Sequence, residues 1–433
     1  MSEKGYKFCS VLGYGLVLLM LAGALASSSY DSDKFHACDF SLRWNECQCA
    51  HMGINPFKIW NREVAVPGFK ALSRPDMIDV AGQPEDLIVH AYPAWHMLFF
   101  WWYGWFSKLF CMCVMSALFG AGLMLLWGEC KKEIKTCDLV GSVALCFIGV
   151  VMMRRCVLCF GSLNYGLLIV AGSVLLFRMI EKNRWGMAGV VWAFMMIKPQ
   201  LGLLFFWPIL FARKYLTILV AMVICLLSAG IMAGYYGESL FDLIMQIPQI
   251  GMPYGAGPIV DRLWIPLVGD LARYVWPGVC FAICGVACYL LRHSPMWCVR
   301  CAPVAVLIPI WTYCMRSDFV MDLIWYFVVM IMAFRRGGRA VWRGYALILV
   351  GAEIFIVIWS FISYHGLFDR SGMGWVYYLV VYGMPILSLA MIWQLILEER
   401  KMSINNTKRN RKENENENSS HYWCGAGRVD GGI

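Results

Sequence analysis

Residues 215–235, YLTILVAMVICLLSAGIMAGY, run from Tyr215 to Tyr235 without a charged side chain. A helix needs roughly 20 predominantly apolar residues to cross the hydrocarbon core of a bilayer, which is about 30 Å thick. This stretch therefore predicts a transmembrane helix, and it sets the pattern by which the rest of the chain is interpreted.

The whole chain has the same character. Of its 433 residues, 60% are hydrophobic and 15% are charged, whereas a soluble domain is roughly 45–50% apolar and about 25% charged. A soluble protein of this size has no interior that buries so much apolar surface. The composition excludes a cytoplasmic globular enzyme, a disordered chain and a small disulfide scaffold, and it predicts an all-α polytopic membrane protein.

About twelve stretches are long and apolar enough to be read as membrane spans or short re-entrant helices. They lie near 9–27, 108–127, 137–153, 160–178, 186–197, 200–212, 215–235, 274–292, 300–314, 319–334, 345–362 and 374–396. The two short stretches around Lys198-Pro199-Gln200 are either two helices or one broken helix. Residues 1–397 thus form a membrane domain, and residues 398–433 a polar, disordered cytoplasmic tail.

The basic connections between spans predict the sidedness of the chain. With the N-terminus in the cytoplasm, every inner connection carries Lys or Arg, and an even number of spans returns the C-terminus to the cytoplasm. The inner basic residues include Lys131, Lys132, Arg178, Lys182, Arg184, Arg213, Lys214, Arg292, Arg300, Arg335 and Arg336. Ala24-Leu25-Ala26, at the end of the first span, resembles a signal-peptidase site, and cleavage there stays an open alternative.

A long first outer loop covers residues 28–107, and loops of that size usually have a function. It carries Asp39 and Asn55, and then Tyr92 and Trp95 where the chain returns to the membrane. The run FFWWYGWF at 99–106 is typical of an interfacial helix that anchors the loop. Cys38, Cys47 and Cys49 share this loop, and their odd number leaves their pairing open.

Several charged residues lie at the predicted outer ends of spans, where a charge is costly unless it is paired or faces water. These residues are Arg154, Arg155, Lys198, Asp261, Arg262, Arg316, Asp318 and Asp322. Interfacial ion pairs explain them one at a time. As a set they favour a cationic, outward-facing cavity that suits a phosphate-bearing ligand.

Other chemistry leaves no trace in the sequence. The chain has neither a GxxxxGK[ST] phosphate loop nor a GxGxxG fingerprint, so a nucleotide-driven pump is not expected. No His/Cys cluster has the spacing of a metal site. We therefore expect no metal, no cofactor and no nucleic-acid partner.

The loop motifs resemble those of a known family. Asp39-Phe40, followed by Trp44 and then by Gly53-Ile54-Asn55-Pro56-Phe57, resembles the first-loop pattern of the family 87 glycosyltransferases. These are polyprenyl-phosphate-sugar-dependent mannosyltransferases and their relatives in the GT-C class. Tyr92-Pro93-Ala94-Trp95 is similar to the Tyr-Pro-Pro that follows in them.

Two later motifs continue the resemblance, which covers about residues 9–335. Gly161-Ser162-Leu163-Asn164 is similar to the family's Gly-Gln-x-Asn, with Ser162 in place of Gln, and Lys198-Pro199-Gln200 is similar to its Lys-Pro-x. Near Arg316 this chain lacks the His that the family often shows, and Arg316 is a candidate substitute.

The resemblance implies an inverting glycosyltransferase in a bacterial plasma membrane, with a GT-C-like bundle of about twelve transmembrane helices. It would move a hexose, mannose above all, from a polyprenyl-phosphate donor to a glycolipid or glycan acceptor on the outer face. Asp39 is the candidate general base. The candidates for the donor phosphate are Arg154, Arg155, Lys198 and Arg316, and those for substrate binding are Asn55, Tyr92, Trp95, Asn164, Gln200, Asp318 and Asp322.

Two other functions stay open. A transporter or flippase of a lipid-linked saccharide also suits twelve spans and a cationic cavity, although such repeated folds show an internal symmetry that is not visible here. A polysaccharide polymerase or ligase would carry its large loop late in the chain.

Overall fold

The computed structural model describes residues 39–60, 63, 66, 69–71, 87–89, 92–134, 163–251, 265–311, 318–334, 340–364, 383–384 and 386–401. The predicted spans at 9–27 and 137–153 lie outside the described residues, as does the chain after residue 401. Arg154, Arg155, Arg262 and Arg316 also lie outside them, and so does Cys38.

Helices make up nearly all of the described chain. They are α1 (Asp39–His51), α2 (Pro56–Trp60), α3 (His96–Phe100), α4 (Lys108–Ile134), α5 (Gly166–Glu181), α6 (Trp185–Met195), α7 (Pro199–Gly202), α8 (Phe206–Phe211), α9 (Tyr215–Tyr236), α10 (Leu240–Gly251), α11 (Ile265–Val268), α12 (Ala272–Leu291), α13 (Trp297–Trp311), α14 (Asp322–Phe334), α15 (Ala340–Tyr364) and α16 (386–401). Short 3₁₀ turns cover Trp101–Trp105, Leu203–Phe205 and Asp318–Met321.

The long loop adds a small sheet to this helical protein. Strands β1 (Phe69–Ala71) and β2 (Leu87–Val89) pair in parallel, with Lys70 opposite Ile88. The aromatic run of the loop is helical as predicted, because it forms α3 and the 3₁₀ turn Trp101–Trp105.

Three of the described helices are long and apolar enough to cross a membrane. They are the Lys108–Glu129 part of α4, together with α9 and α12. Only 28% of the apolar window in α4, and 33% of that in α9 and in α12, is buried. Such extensive exposed apolar faces are rare on soluble proteins, and they suit contact with lipid. The chain is therefore a helical protein with membrane-spanning character, and the total of about twelve spans stays a prediction.

The centre of the bundle consists of shorter helices that are buried on nearly every side. Every residue of α13 except Trp297 and Arg300 is buried. This helix packs between α12 and α14, and its apolar residues lie all round it, as expected for a helix enclosed by others. α5 is similarly enclosed between α4 and α6.

The chain turns back on itself after α6. Lys198 is extended, with φ −110° and ψ 88°, and α7 begins at Pro199, whose fixed φ suits the first turn of a helix. A Cβ on Gly202 would lie 2.5 Å from the Met195 carbonyl oxygen, so only glycine allows the returning backbone to pass this close.

Residues that come later after this turn contact residues that come earlier in α6. The Phe206 ring lies 6.4 Å from the Trp192 ring, and the Thr217 hydroxyl donates to the Trp185 carbonyl oxygen over 3.1 Å. Residues 185–211 therefore form an antiparallel helical hairpin, which confirms two helices rather than one broken helix. Each arm is shorter than the roughly 20 residues of a full span.

Basic connections and loop helices occupy opposite ends of α9. At the end near Tyr215, Arg178 pairs with Glu129, and Arg300 lies 3.4 Å from Glu181. At the end near Tyr236, the Tyr235 hydroxyl donates to the carbonyl oxygen of His51 at the end of α1, and Lys58 of α2 lies 2.9 Å from Glu238 just after α9. The basic connections thus lie at the other end of α9 from the long loop, and the sidedness of the chain stays a prediction.

Candidate functional site

The first loop helix contains a buried ion pair. Arg43 Nη1 lies 2.7 Å from Glu46 Oε2 one turn later, and both side chains are 2% exposed or less. The Arg43 guanidinium lies 3.6 Å from the centre of the Tyr92 ring, a cation–π contact. Removing two charges from water costs about as much as their attraction returns, so this pair adds little net stability.

The second loop helix is attached to the elbow between α9 and α10. Gly237 ends α9 in the left-handed conformation, with φ 68°, and Glu238 follows it. Asn55 Nδ2 donates to Glu238 Oε2 over 2.9 Å, and Lys58 Nζ lies 2.9 Å from Glu238 Oε1. The hydrogen bond to Glu238 raises the pKa of Lys58 above its usual value. Asn55 Oδ1 also accepts the Phe57 backbone N–H over 3.0 Å, so this side chain starts α2 as well.

A cleft opens between the loop helices and this elbow, and we call it the loop cleft. Its enclosed space is small, about 20 Å³, which is enough for a water molecule. Its polar side is lined by Glu46, Asn55, Tyr92, Tyr236 and Gln246, and its apolar side by Phe57, Met97 and Leu243 among others.

A second polar cluster lies at the tip of the helical hairpin. Lys198 Nζ donates to Asn164 Oδ1 over 2.9 Å, and these residues are 2% and 0% exposed. The same oxygen accepts the Gly166 backbone N–H over 2.9 Å and so starts α5. Leu163 just before it has φ 45°, a conformation that costs a non-glycine residue about 1–3 kcal/mol and that clusters at functional sites. We call Lys198 and Asn164 the hairpin-tip pair.

The loop cleft and the hairpin-tip pair adjoin each other. The Trp95 indole N–H donates to the Met196 carbonyl oxygen over 2.8 Å, two residues before Lys198. Tyr92, which lines the cleft, has its ring 6.2 Å from that of Tyr165, the residue after Asn164. Aromatic side chains of the loop therefore join the two clusters.

The hairpin tip also contacts α13, later in the chain. The Trp311 indole N–H donates to the Gln200 carbonyl oxygen over 2.8 Å. The 3₁₀ turn Asp318–Met321 packs on α5 and on α13. Asp322 is half-buried at the start of α14. The chain at both predicted carboxylates, Asp318 and Asp322, therefore lies in elements that pack on α13.

A buried histidine lies between the two clusters. His96 is fully buried, and neither ring nitrogen has a hydrogen-bond partner among the residues that the structure describes. Its ring stacks on Phe100 at 5.0 Å and meets the edge of Tyr92 at 5.5 Å. Burial, with a smaller contribution from the Arg43 charge, holds the pKa of His96 well below its usual value. His96 is therefore neutral at physiological pH.

The structure brings some of the predicted site residues together and does not describe others. The structure brings together Asn55 with Tyr92 in the cleft, and Asn164 with Lys198 at the hairpin tip, with Trp95 between them. Gln200 takes part through its backbone. α1 begins at Asp39, but the side chains of Asp39 and Asp318 lie outside the described residues, and Arg154, Arg155 and Arg316 do so entirely.

Four residues in the cleft or beside it escaped the sequence analysis. Arg43 and Glu46 stand three apart in a loop whose helical structure was not predicted. Glu238 and Gln246 lie on a connection that carried no motif of the family. The available signal was the Gly237-Glu238-Ser239 interruption between two apolar segments, which is typical of a helix end followed by a new start.

Two cysteines lie in the part of the loop that the structure describes. Cys47 and Cys49 are free thiols there. Cys47 is buried beside the Phe100 carbonyl oxygen, and burial raises the pKa of its thiol. Among the described residues no group of His, Cys, Asp and Glu side chains is placed to hold a metal ion.

Comparison with known proteins adds no relative to this picture. No family model, no curated protein and no solved structure matches the chain. The function is therefore argued from the residues and geometry of the two clusters.

Proposed function

We propose that the chain is an inverting glycosyltransferase of GT-C-like architecture, with about twelve spans in the plasma membrane and both termini in the cytoplasm. It transfers a hexose, mannose above all, from a polyprenyl-phosphate donor to a glycolipid or glycan acceptor on the outer face. The motifs of the first loop and of the hairpin tip supply the resemblance on which this proposal rests.

One observation carries the proposal. Residues that the resemblance selects from four separate stretches, namely Asn55, Tyr92, Asn164 and Lys198, meet in two adjoining clusters that Trp95 connects. One cluster is a cleft rich in hydroxyl-binding groups, and the other holds a buried cation. This pairing suits a reaction between a hydroxyl group and a sugar phosphate.

The chemistry needs few groups. The acceptor oxygen attacks the anomeric carbon as the bond from that carbon to the phosphate oxygen breaks, and the phosphate leaves with the electron pair. Asp39 takes the proton of the acceptor hydroxyl. Lys198, with Arg154, Arg155 and Arg316, supplies positive charge to the leaving phosphate. Direct displacement inverts the anomeric configuration.

The test is transfer of radiolabelled mannose from polyprenyl-phosphate mannose to membrane acceptors by chain reconstituted in liposomes. We expect transfer by wild type and a loss of about 100-fold or more in Asp39→Asn, because a general base contributes roughly 10²–10⁴-fold. Asp242→Asn is the matched control, since Asp242 pairs with Ser239 at the exposed start of α10.

The outcomes separate the hypotheses. Transfer that Asp39→Asn leaves undiminished keeps the enzyme and removes Asp39 from its mechanism. Absence of transfer from every polyprenyl-phosphate sugar tested contradicts the proposal, and movement of a lipid-linked saccharide across the same liposomes would then establish the transporter.

A further inference from the structure

We propose that four basic residues at the Tyr215 end of α9 form a surface that binds the phosphate of an anionic phospholipid. They are Lys182 and Arg184 in the turn before α6, and Arg213 and Lys214 in the turn before α9. We call them the basic turn surface. The proposal is independent of the glycosyltransferase function, because this surface lies at the other end of α9 from the long loop.

The two turns have the same backbone conformation. Asn183 in the first turn and Arg213 in the second both have φ 57°. Arg184 and Lys214 then each donate the backbone N–H to the carbonyl oxygen five residues earlier, over 2.8 and 3.4 Å. This ending usually has glycine or asparagine in the left-handed position, so an arginine there is unusual. Both turns therefore place a basic residue directly before the next helix.

The two turns lie side by side. The Thr217 hydroxyl donates to the Trp185 carbonyl oxygen over 3.1 Å, and Lys214 Nζ lies 4.5 Å from the centre of the Trp185 ring. A Cβ on Gly189 would lie 2.6 Å from the Val220 Cβ, so glycine allows α6 and α9 to approach closely near their starts. The basic residues of both turns therefore belong to one surface.

The nearby carboxylates pair with other residues. Glu181 lies 3.4 Å from Arg300, and Glu129 pairs with Arg178. In the part of the chain that the structure describes, none of the four basic residues of the surface forms an ion pair. Arginine and lysine side chains that are collected on one surface without carboxylates suit a phosphate.

An exposed apolar stripe begins beside these basic residues and follows α9. Tyr215 and Leu219 are 62% and 57% exposed, and Val223 continues the same face one turn later. α9 is also long and apolar enough to cross a membrane. A phospholipid fits both parts of this surface, with its phosphate on the basic residues and an acyl chain along the stripe. The positive charge favours an anionic headgroup over a zwitterionic one, whose own cation it repels.

Two pairs of residues make a matched test. Arg184→Gln and Lys214→Gln each remove one charge from the basic turn surface, whereas Arg400→Gln and Lys401→Gln remove the same charges from the exposed end of α16. Both places face the cytoplasm by the predicted sidedness, so a general attraction to anionic lipid affects both pairs alike.

The measurement is native mass spectrometry of the full chain, purified in detergent and freed of lipid. Wild type and the four variants are titrated separately with phosphatidylglycerol and with phosphatidylcholine, and the affinity for the first bound lipid is determined. Inorganic phosphate is then added to the phosphatidylglycerol complex as a competitor. Unfolding midpoints of all five proteins control for their folding.

We expect wild type to bind the first phosphatidylglycerol at least about fivefold more tightly than phosphatidylcholine. Arg184→Gln and Lys214→Gln should each weaken phosphatidylglycerol about fivefold, the factor that one basic residue near anionic lipid contributes. Their affinity for phosphatidylcholine should stay unchanged. Arg400→Gln and Lys401→Gln should bind both lipids as wild type does.

Three results overturn the proposal. One is phosphatidylglycerol bound no more tightly than phosphatidylcholine, and another is equal weakening by all four variants, because the attraction is then general. The third is displacement of phosphatidylglycerol by inorganic phosphate at equal concentration, because the apolar stripe then adds nothing. If Lys214→Gln lowers the unfolding midpoint, Arg184→Gln, whose side chain is exposed, decides the test.

Discussion

Two asparagines, Asn55 and Asn164, serve the same local purpose in opposite electrostatic settings. Each uses its Oδ1 to accept the backbone N–H two residues later and so starts a helix. At Asn55 the amide nitrogen then donates to the Glu238 carboxylate. At Asn164 the same side-chain oxygen, Oδ1, also accepts from the Lys198 ammonium.

The two settings differ in exposure and in charge. The loop cleft around Asn55 is partly open, and its charges are paired as Arg43 with Glu46 and Lys58 with Glu238. The hairpin tip around Asn164 is buried and contains the cation Lys198, which we propose to face the donor phosphate. The predictions below test this contrast in order of expected effect.

The largest effect is expected from truncating the two asparagines. Asn164→Ala removes a fully buried acceptor of a charged donor, and we expect it to destabilise the fold by roughly 2–4 kcal/mol. Asn55→Ala removes a helix cap at the edge of an open cleft, and about 1 kcal/mol is expected. Thermal unfolding midpoints of both variants in nanodiscs check the order, and equal shifts would show that the two settings do not differ.

An intermediate effect is expected from the pH. Because burial lowers the pKa of His96 below the usual value of about 6.5, the unfolded chain takes up the proton first. Stability is therefore full above about pH 6.5 and falls below it, by up to about 1.4 kcal/mol per pH unit, until the pH passes the folded pKa.

The measurement is the unfolding midpoint of wild type minus that of His96→Phe from pH 8 to pH 5, which cancels the titration of the shared carboxylates. A difference that declines steadily below pH 6.5 is expected. A difference that is independent of pH would mean that His96 does not stay neutral in the folded chain.

The smallest effect is expected from the ion pair at the cleft. The Lys58 side chain is 38% exposed, so its pair with Glu238 is worth at most about 1 kcal/mol. Lys58→Met should lower the unfolding midpoint slightly at low salt, and the difference should vanish near 1 M salt, where the Debye length is about 3 Å. If the difference survives at high salt, the pair is less solvated than its exposure indicates.

Hydropathy and loop motifs predicted much of this arrangement. The uncharged run at 215–235 became α9, and the paired short stretches around Lys198 became a hairpin, because apolar length and proline position are local properties. The sequence analysis placed Asn164 and Lys198 in the same site but did not predict that they contact each other. Its geometry depends on Gly202 and on how α5 packs beside α6, which no local pattern specifies.

The cleft was harder to predict for a physical reason. Arg43 and Glu46 look like an ordinary surface pair in sequence, and they are buried only because α1 packs against Tyr92 and the Trp101–Trp105 turn. Glu238 and Gln246 are separated from Asn55 by more than 180 positions of chain. Long-range convergence of this kind has no periodic signature, so it required the structure.

The central proposal is that the hairpin tip binds the donor phosphate through Lys198. Its most direct test compares wild type with Lys198→Met in binding farnesyl phosphate and the uncharged farnesol, each titrated separately in nanodiscs. The account predicts that Lys198→Met binds farnesyl phosphate about tenfold more weakly or worse, as losing a charge-assisted hydrogen bond implies, and that its farnesol affinity is unchanged. Farnesyl phosphate bound equally by both proteins, or weakened together with farnesol, would contradict it.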